Sequence, residues 1–298
     1  MPKCNNLKKK YGEYAFITGA TDGIGKAYAK NFAGKDMNLI LVGRNQEKLR
    51  KTQNEIWEKI NNKINIELLE IDFSDKTDAI YNKIENFLKQ RSKPFDIGVL
   101  VNNVGIGMPQ LSKLHELSKF LGEKEAHDTV NDLINVNARS MVKVTPLILK
   151  YGGMIAKNKG LIINISSISA RLPVAYGILY GAVKQFNQYI SDGLRYELGH
   201  GKNETDKIEV QTILPSFINT KLVDALGLGQ SLFVPNVDKF VRHAVSTIGY
   251  QEITNGYWPH ALLDWVVSWN SHFFSKRGAV RSEKMLREYL AEQGKKEK

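Results

Sequence analysis

The chain has 298 residues, 42% of them hydrophobic and 24% charged, with a net charge of +11. This composition suits a soluble globular chain with a sizeable core, as one large α/β domain or two small ones. The only cysteine, Cys4, excludes an internal disulfide, residues 1–13 lack a signal-peptide core, and no uninterrupted apolar run is long enough to span a bilayer.

The elements alternate along the chain. Ala15 to Thr18 is a short apolar run, followed by TGATDGIGKAYA (18–29) and a helical stretch to about Gly34. MNLILV (37–42) has the length of a strand, and residues 46–62 read as a charged helix with Leu49, Ile56 and Ile60 inward. Ile66 to Ile71 is the next strand, then a helix near 76–91, then a strand at Ile97 to Val101 that ends in Asn102-Asn103. A helix over 124–151, a strand at Leu161 to Ile165, a long helix over 176–199 and a strand at Val210 to Leu214 complete the pattern. Continuous apolar strands separated by helices predict a doubly wound, Rossmann-like parallel sheet covered on both faces. With no repeat or linker in view, a single domain spanning 1–298 is expected. Its core would be about 12–220, with a C-terminal helical extension over about 221–298.

The turn after the first strand carries Gly19, Gly23 and Gly25. Glycine lets a phosphate approach the backbone, and the following helix presents free N–H groups to it. The spacing departs from the commoner G-x-G-x-x-G, so the turn alone reads either as a nucleotide cradle or as a structural turn. The second strand ends in Arg44 rather than an acid. A guanidinium there matches a 2′-phosphate and favours NADP(H), the alternative being a solvated loop residue. Asp72 is placed either to accept from an adenine amino group or to cap the next helix, with Ser74 and Asp75 as competitors. Asn103, Val104 and Gly105 follow the fourth strand, at the sheet edge where open α/β sheets bind ligands.

Tyr180 and Lys184 are four residues apart on a predicted helix and share a face. An ammonium near a phenol favours the phenolate, which suits proton exchange with an alcohol or carbonyl; the bland alternative is an ordinary helix surface. Ser167 lies 13 residues before Tyr180. It either bonds a substrate oxygen or caps a turn together with Ser166 and Ser169.

Together these residues resemble the short-chain dehydrogenase/reductase family. The matching pieces are T-G-x-x-x-G-I-G from Thr18, Asp72, N-N-V-G from Asn102, Val136-Asn137, Ser167 and Tyr180-x-x-x-Lys184, in the family's order. The resemblance implies an oxidoreductase with Tyr180 as general acid/base and Ser167 orienting the carbonyl. Lys184 would tune the tyrosine and hold the nicotinamide ribose, and Asn137 would support a proton relay. It assigns the cofactor to Gly19, Thr21, Asp22, Gly23, Ile24, Gly25, Arg44, Asp72, Asn103, Val104, Gly105, Tyr180, Lys184, Pro215, Ile218 and Thr220. Ser216 replaces the family's usual glycine in the segment from Pro215 to Thr220, which questions the backbone path there.

TNGYWPHALLDW (254–265) and ILPSFINTKL (213–222) are similar to the branch of 17-beta-hydroxysteroid dehydrogenases and very-long-chain 3-oxoacyl-CoA reductases. That branch implies NADP(H), a ketone on a steroid or fatty acyl-CoA, and the cytosolic face of the endoplasmic reticulum, the alternative being cytoplasmic. The KKEK tail resembles a dilysine retrieval signal, though a basic tail produces the same match. Members of the branch carry an apolar segment before the dinucleotide region, so membrane attachment here is expected from elsewhere. Trp258, Ala261, Leu262, Trp265, Val266, Trp269 and Phe273 recur at helical spacing. That face reads as a membrane contact, a pocket wall, or core or dimer packing. Expected partners are therefore an apolar small molecule, a peripheral membrane contact and a homo-oligomer, but not nucleic acid. The rival reading is a non-catalytic nucleotide-binding scaffold or a peripheral membrane-binding protein on the same fold.

Overall fold

The computed structural model describes residues 6–61, 63–90, 95–109, 111–199, 207–220 and 229–296. Cys4, residues 221–228 and the end of the KKEK tail lie outside them.

Seven parallel strands form one sheet in the order β3-β2-β1-β4-β5-β6-β7. They are β1 (Tyr14–Thr18), β2 (Asn38–Gly43), β3 (Ile66–Glu70), β4 (Ile97–Asn102), β5 (Gly160–Ile165), β6 (Ile208–Ile213) and β7 (Ile253–Thr254). The helices are α1 (Leu7–Tyr11), α2 (Gly23–Ala33), α3 (Gln46–Ile60), α4 (Ala79–Lys89), α5 (Leu117–Leu121), α6 (Glu123–Ile134), α7 (Ser140–Tyr151), α8 (Met154–Lys157) and α9 (Ile178–Leu198). The C-terminal part is helical, with α10 (Val237–Ser246), α11 (Trp258–Trp269) and α12 (Ser271–Lys296).

β1, β2, β4 and β5 are buried along their whole length because both faces of the sheet are covered. Alternate residues point to opposite sides. Ala15, Ile17, Leu39, Leu41, Val99, Val101, Leu161 and Ile163 pack with α2 and α10 residues such as Tyr28, Phe32, Phe240 and Ala244. Phe16, Ile40, Val42, Leu100 and Ile162 face the other way, onto Ile80, Ile84 and Leu88 of α4 and Val144 and Ile148 of α7. The chain thus reverses from β3 to β4 across β1, and the switch point lies between β1 and β4.

Four elements differ from the sequence expectation. The helix expected from 76 starts at Ala79, because Asp72 and Asp75 spend their carboxylates on local turns, accepting from Ser74 N at 3.0 Å and Thr77 N at 2.7 Å. The helix expected over 124–151 is α6 and α7 joined by a π turn at Asn135–Arg139. β7 has two residues, too few to show a periodicity. The 258–273 face is split at Asn270, which leaves the helix and caps α12 by accepting from Phe273 N at 3.0 Å.

Candidate active site

The carboxyl ends of β1, β4, β5 and β6 gather the predicted residues. At the end of β1 the chain turns through Gly19 and Gly23, at φ +65° and +50°, a region open to glycine. Gly25 lies so close to this turn that a Cβ would sit 2.3 Å from the Gly19 carbonyl oxygen. The Asp22 carboxylate caps α2 by accepting from Gly23 N at 2.8 Å, and Ile24 packs against the core. The turn leans on β2, where a Cβ on Gly43 would meet the Thr21 methyl at 3.0 Å.

Arg44 follows β2, exposed and without an acidic partner among the described residues. Asp72 is also exposed, and one carboxylate oxygen accepts from both Ser74 N (3.0 Å) and Ser74 Oγ (2.8 Å). It does not cap α4, whose N-cap is Asp78.

Thr18 ties β1 to the loop after β4, and sequence reasoning did not single it out. Its buried Oγ1 accepts from Asn103 N and Val104 N at 3.0 Å each and donates to Val101 O at 3.2 Å. The Asn103 amide in turn donates to the carbonyls of Thr18 and Gly19 at 2.9 and 3.2 Å. The glycine turn and the N-N-V-G segment are therefore one hydrogen-bonded body. Gly105 lets the chain pass close to Asn137 and Lys184: a Cβ there would lie 2.8 Å from Asn137 Oδ1 and 3.3 Å from Lys184 Nζ.

Asn137 sits in the π turn and clamps the same loop. Its Oδ1 accepts from Ile106 N at 3.2 Å and its Nδ2 donates to Ile106 O at 3.0 Å. A π turn frees helical backbone groups, and the Asn137 carbonyl accepts from Asn187 Nδ2 at 2.8 Å. Asn187, one turn beyond Lys184, was not visible from spacing alone.

Ser167 takes the capping role foreseen for it. It caps a short 3-10 turn, accepting from Ser169 N at 3.1 Å, and it hydrogen-bonds Tyr180. Burial pushes the Tyr180 phenol above its ordinary value, and the Ser167 bond draws it partly back. Lys184 is buried and donates to Ile165 O at 3.2 Å, with Nζ 5.6 Å from the Tyr180 ring centroid. Burial lowers its pKa to about 8. Desolvation, rather than an ammonium beside the phenol, is thus the leading influence on both groups.

The segment after β6 returns to the glycine turn. Pro215 O accepts from Ile168 N at 2.9 Å, Ile218 is buried, and the Thr220 methyl lies 3.6 Å from the Cβ position of Gly23. At the position where Ser216 replaces the family's glycine, Ser216 N donates to Nδ1 of His260 at 3.3 Å, and Ser216 Oγ is buried with no hydrogen-bond partner among the described residues. An accepting Nδ1 leaves the proton on Nε2, which donates to Phe233 O at 3.1 Å. His260 is fully buried, and burial holds its pKa down. A lone histidine in WPHALL carries no sequence signal of this role. Beside the start of α9, Met108, Leu114, Leu117, Tyr176, Ile178 and Leu179 line an apolar recess.

A sequence profile of the short chain dehydrogenases matches residues 13–230, and the chain belongs to that family of oxidoreductases. Very-long-chain 3-oxoacyl-CoA reductase of Rattus norvegicus is 39% identical over 255 residues, covering 85% of this chain and 74% of the relative. Hydroxysteroid dehydrogenase-like protein 1 of Gallus gallus is 34% identical over 281 residues, covering 91% and 78%. The fold matches a solved 7beta-hydroxysteroid dehydrogenase with TM-score 0.73 and 22% identity, covering 93% of this chain and 99% of that one. It also matches a short-chain dehydrogenase from Sphingobium yanoikuyae solved with NADPH, with TM-score 0.67, 24% identity and 90% and 95% coverage.

Proposed function

We propose that the protein is an NADP(H)-dependent reductase of a ketone on a large apolar substrate. A 3-oxoacyl-CoA is favoured over a steroid by the kinship with 3-oxoacyl-CoA reductases. The observation that carries the reading is the group Ser167, Tyr180 and Lys184 beside the Gly105 loop, which Thr18 and Asn103 tie to the glycine turn.

The residues fit a dinucleotide. Gly19 and Gly23 add no side chain to the turn at the N-terminus of α2, where a pyrophosphate is favoured. Arg44 is an exposed cation at the end of β2, suited to a 2′-phosphate. Asp72, Asn103, Val104 and Gly105 would line the adenosine side. Pro215, Ile218 and Thr220 would line the nicotinamide side, with Tyr180 and Lys184 at the ribose.

NADPH, when bound, supplies a hydride to the carbonyl carbon. Ser167 and Tyr180 hold the carbonyl oxygen from one side, and Tyr180 gives it the phenolic proton as negative charge develops there. A phenol with a raised pKa is protonated at neutral pH and ready to donate. Lys184, with its pKa near 8, can carry a proton or release one close to physiological pH. Asn137 holds the Ile106 backbone beside this group and keeps the loop after β4 in place. The kinship with very-long-chain 3-oxoacyl-CoA reductases supports a place at the cytosolic face of the endoplasmic reticulum.

The test is NADPH oxidation against a panel of 3-oxoacyl-CoAs and 17-ketosteroids, with Tyr180→Phe in parallel. Turnover of a long-chain 3-oxoacyl-CoA should fall by roughly 10²–10⁴-fold in Tyr180→Phe while NADPH still binds. Near-normal turnover by Tyr180→Phe would sink the assignment of the acid. Activity on the steroids alone would overturn the choice of substrate.

A further inference from the structure

α11 meets the rest of the protein through a face that carries two polar anchors, His260 and Asp264. Its buried residues are Pro259, His260, Asp264 and Val267. Trp258, Leu262, Trp265 and Trp269 are 59%, 47%, 65% and 86% exposed. The anchors are specific. Asp264 accepts from Asn255 Nδ2 at 3.0 Å and lies 3.6 Å from Arg171 Nε, while His260 joins Ser216 to Phe233. Such an arrangement fixes the tryptophan face outward instead of leaving it there by loose packing. The Trp265 and Trp269 rings stack at 6.3 Å and 9°, and the exposed apolar strip continues through Phe273 and Val280 of α12.

The charges beside this strip have one sign. Residues 258–287 hold five Lys and Arg against two Asp and Glu. Asp264 is buried, and Glu283 is paired with Arg287 at 2.7 Å. Lys276, Arg277 and Arg281 have no acidic partner among the described residues, and Arg277 lies over the Phe273 ring at 5.2 Å. A second copy of the chain packed on this strip would bring the same cations together across a two-fold axis. An anionic lipid surface complements both the cations and the aromatic groups: tryptophan settles at the headgroup boundary, and each nearby Lys or Arg is attracted to acidic headgroups.

We propose that α11 and the first turns of α12 lie in the plane of an anionic phospholipid bilayer, tryptophans in the headgroup boundary and Lys276, Arg277 and Arg281 against the phosphates. Among the described residues no helix is long and apolar enough to cross a membrane. The contact is therefore peripheral, and it involves none of Ser167, Tyr180 and Lys184.

The full chain is sedimented with phosphatidylcholine vesicles, with and without phosphatidylserine, while its tryptophan emission is followed. Binding should require phosphatidylserine and shift the emission to the blue. It should weaken about tenfold or more in Trp265→Ser/Trp269→Ser, and again in Lys276→Glu/Arg281→Glu. Circular dichroism and Tm should stay as in the parent, because these side chains are exposed. Lack of vesicle binding, or binding that neither double variant weakens, overturns the proposal. So does a dimer by light scattering that the tryptophan variant converts to monomer without any vesicle binding, which would assign the strip to a second copy. Binding to nucleic acid but not to vesicles overturns it equally.

Discussion

Lys184 places its Nζ 5.6 Å from the centroid of the Tyr180 ring and 3.2 Å from the carbonyl oxygen of Ile165. The lysine is buried, and its pKa falls to about 8 from the ordinary 10.5.

That shift gives a pH test. The folded state holds the Lys184 proton less tightly than the unfolded chain. Below pH 8 both states are protonated and the full penalty of the buried charge is present. Between about 8 and 10.5 the unfolded chain holds the proton and the folded chain has shed it, so stability rises with pH. The gain is at most about 3 kcal/mol. In Lys184→Met this component is gone, so the Tm of the variant minus that of the parent should fall steadily from pH 7 to the alkaline side. A gap that stays constant with pH would show that Lys184 titrates at its ordinary value.

Arg44 is exposed and follows β2 with no acid beside it to bind a ribose hydroxyl. Arg44→Ala should weaken NADPH by about 10- to 100-fold, the worth of one charge-assisted phosphate contact, and leave NADH nearly unchanged. Isothermal titration with both cofactors measures the ratio. Equal loss for both would return Arg44 to the role of a solvated loop residue.

Thr18 is buried and serves two backbone donors with one oxygen. Thr18→Val keeps the shape and strands the N–H groups of Asn103 and Val104. Each stranded group costs about 1–3 kcal/mol. Urea unfolding should show a loss of about 2–4 kcal/mol, and cofactor affinity should drop with it, because the loop after β4 and the glycine turn come apart. Parent-like stability would rule out this oxygen as the tie between them.

His260 offers a second pH effect, of the acid side. Burial holds its pKa below the ordinary histidine value, and its Nδ1 must stay unprotonated to accept from Ser216 N. The unfolded chain takes up a proton first as pH falls through about 6.5, so the stability from this group is lost on acidification below that point. His260→Gln, which keeps an acceptor and a donor but does not titrate, should flatten the fall in Tm between pH 7 and 5. An unchanged acid slope in His260→Gln would contradict the role given to this ring.

β1, β2, β4 and β5 were legible because each is a short, mostly apolar run, and a covered parallel sheet demands such runs. β7 was not, since two residues carry no period. The site divides in the same way. Tyr180 and Lys184 share a face through a spacing of four, and Thr18 to Gly25 form a turn whatever surrounds them. Asp72 spends its carboxylate on Ser74, and Asn187 reaches the carbonyl of Asn137 across 50 residues.

The sequence by itself determined the family, the alternation of strand and helix and the candidate site residues, because local spacing settles which side chains stand together. Only the tertiary structure decided how those groups are tuned and which way the tryptophans face. Burial of Tyr180 and Lys184, the π turn under Asn137 and the polar anchoring of α11 all arise between segments far apart in the chain. Periodicity shows that a helix has two faces. Which one meets the protein is set by partners such as Asn255, Arg171 and Ser216, and here the polar partners won.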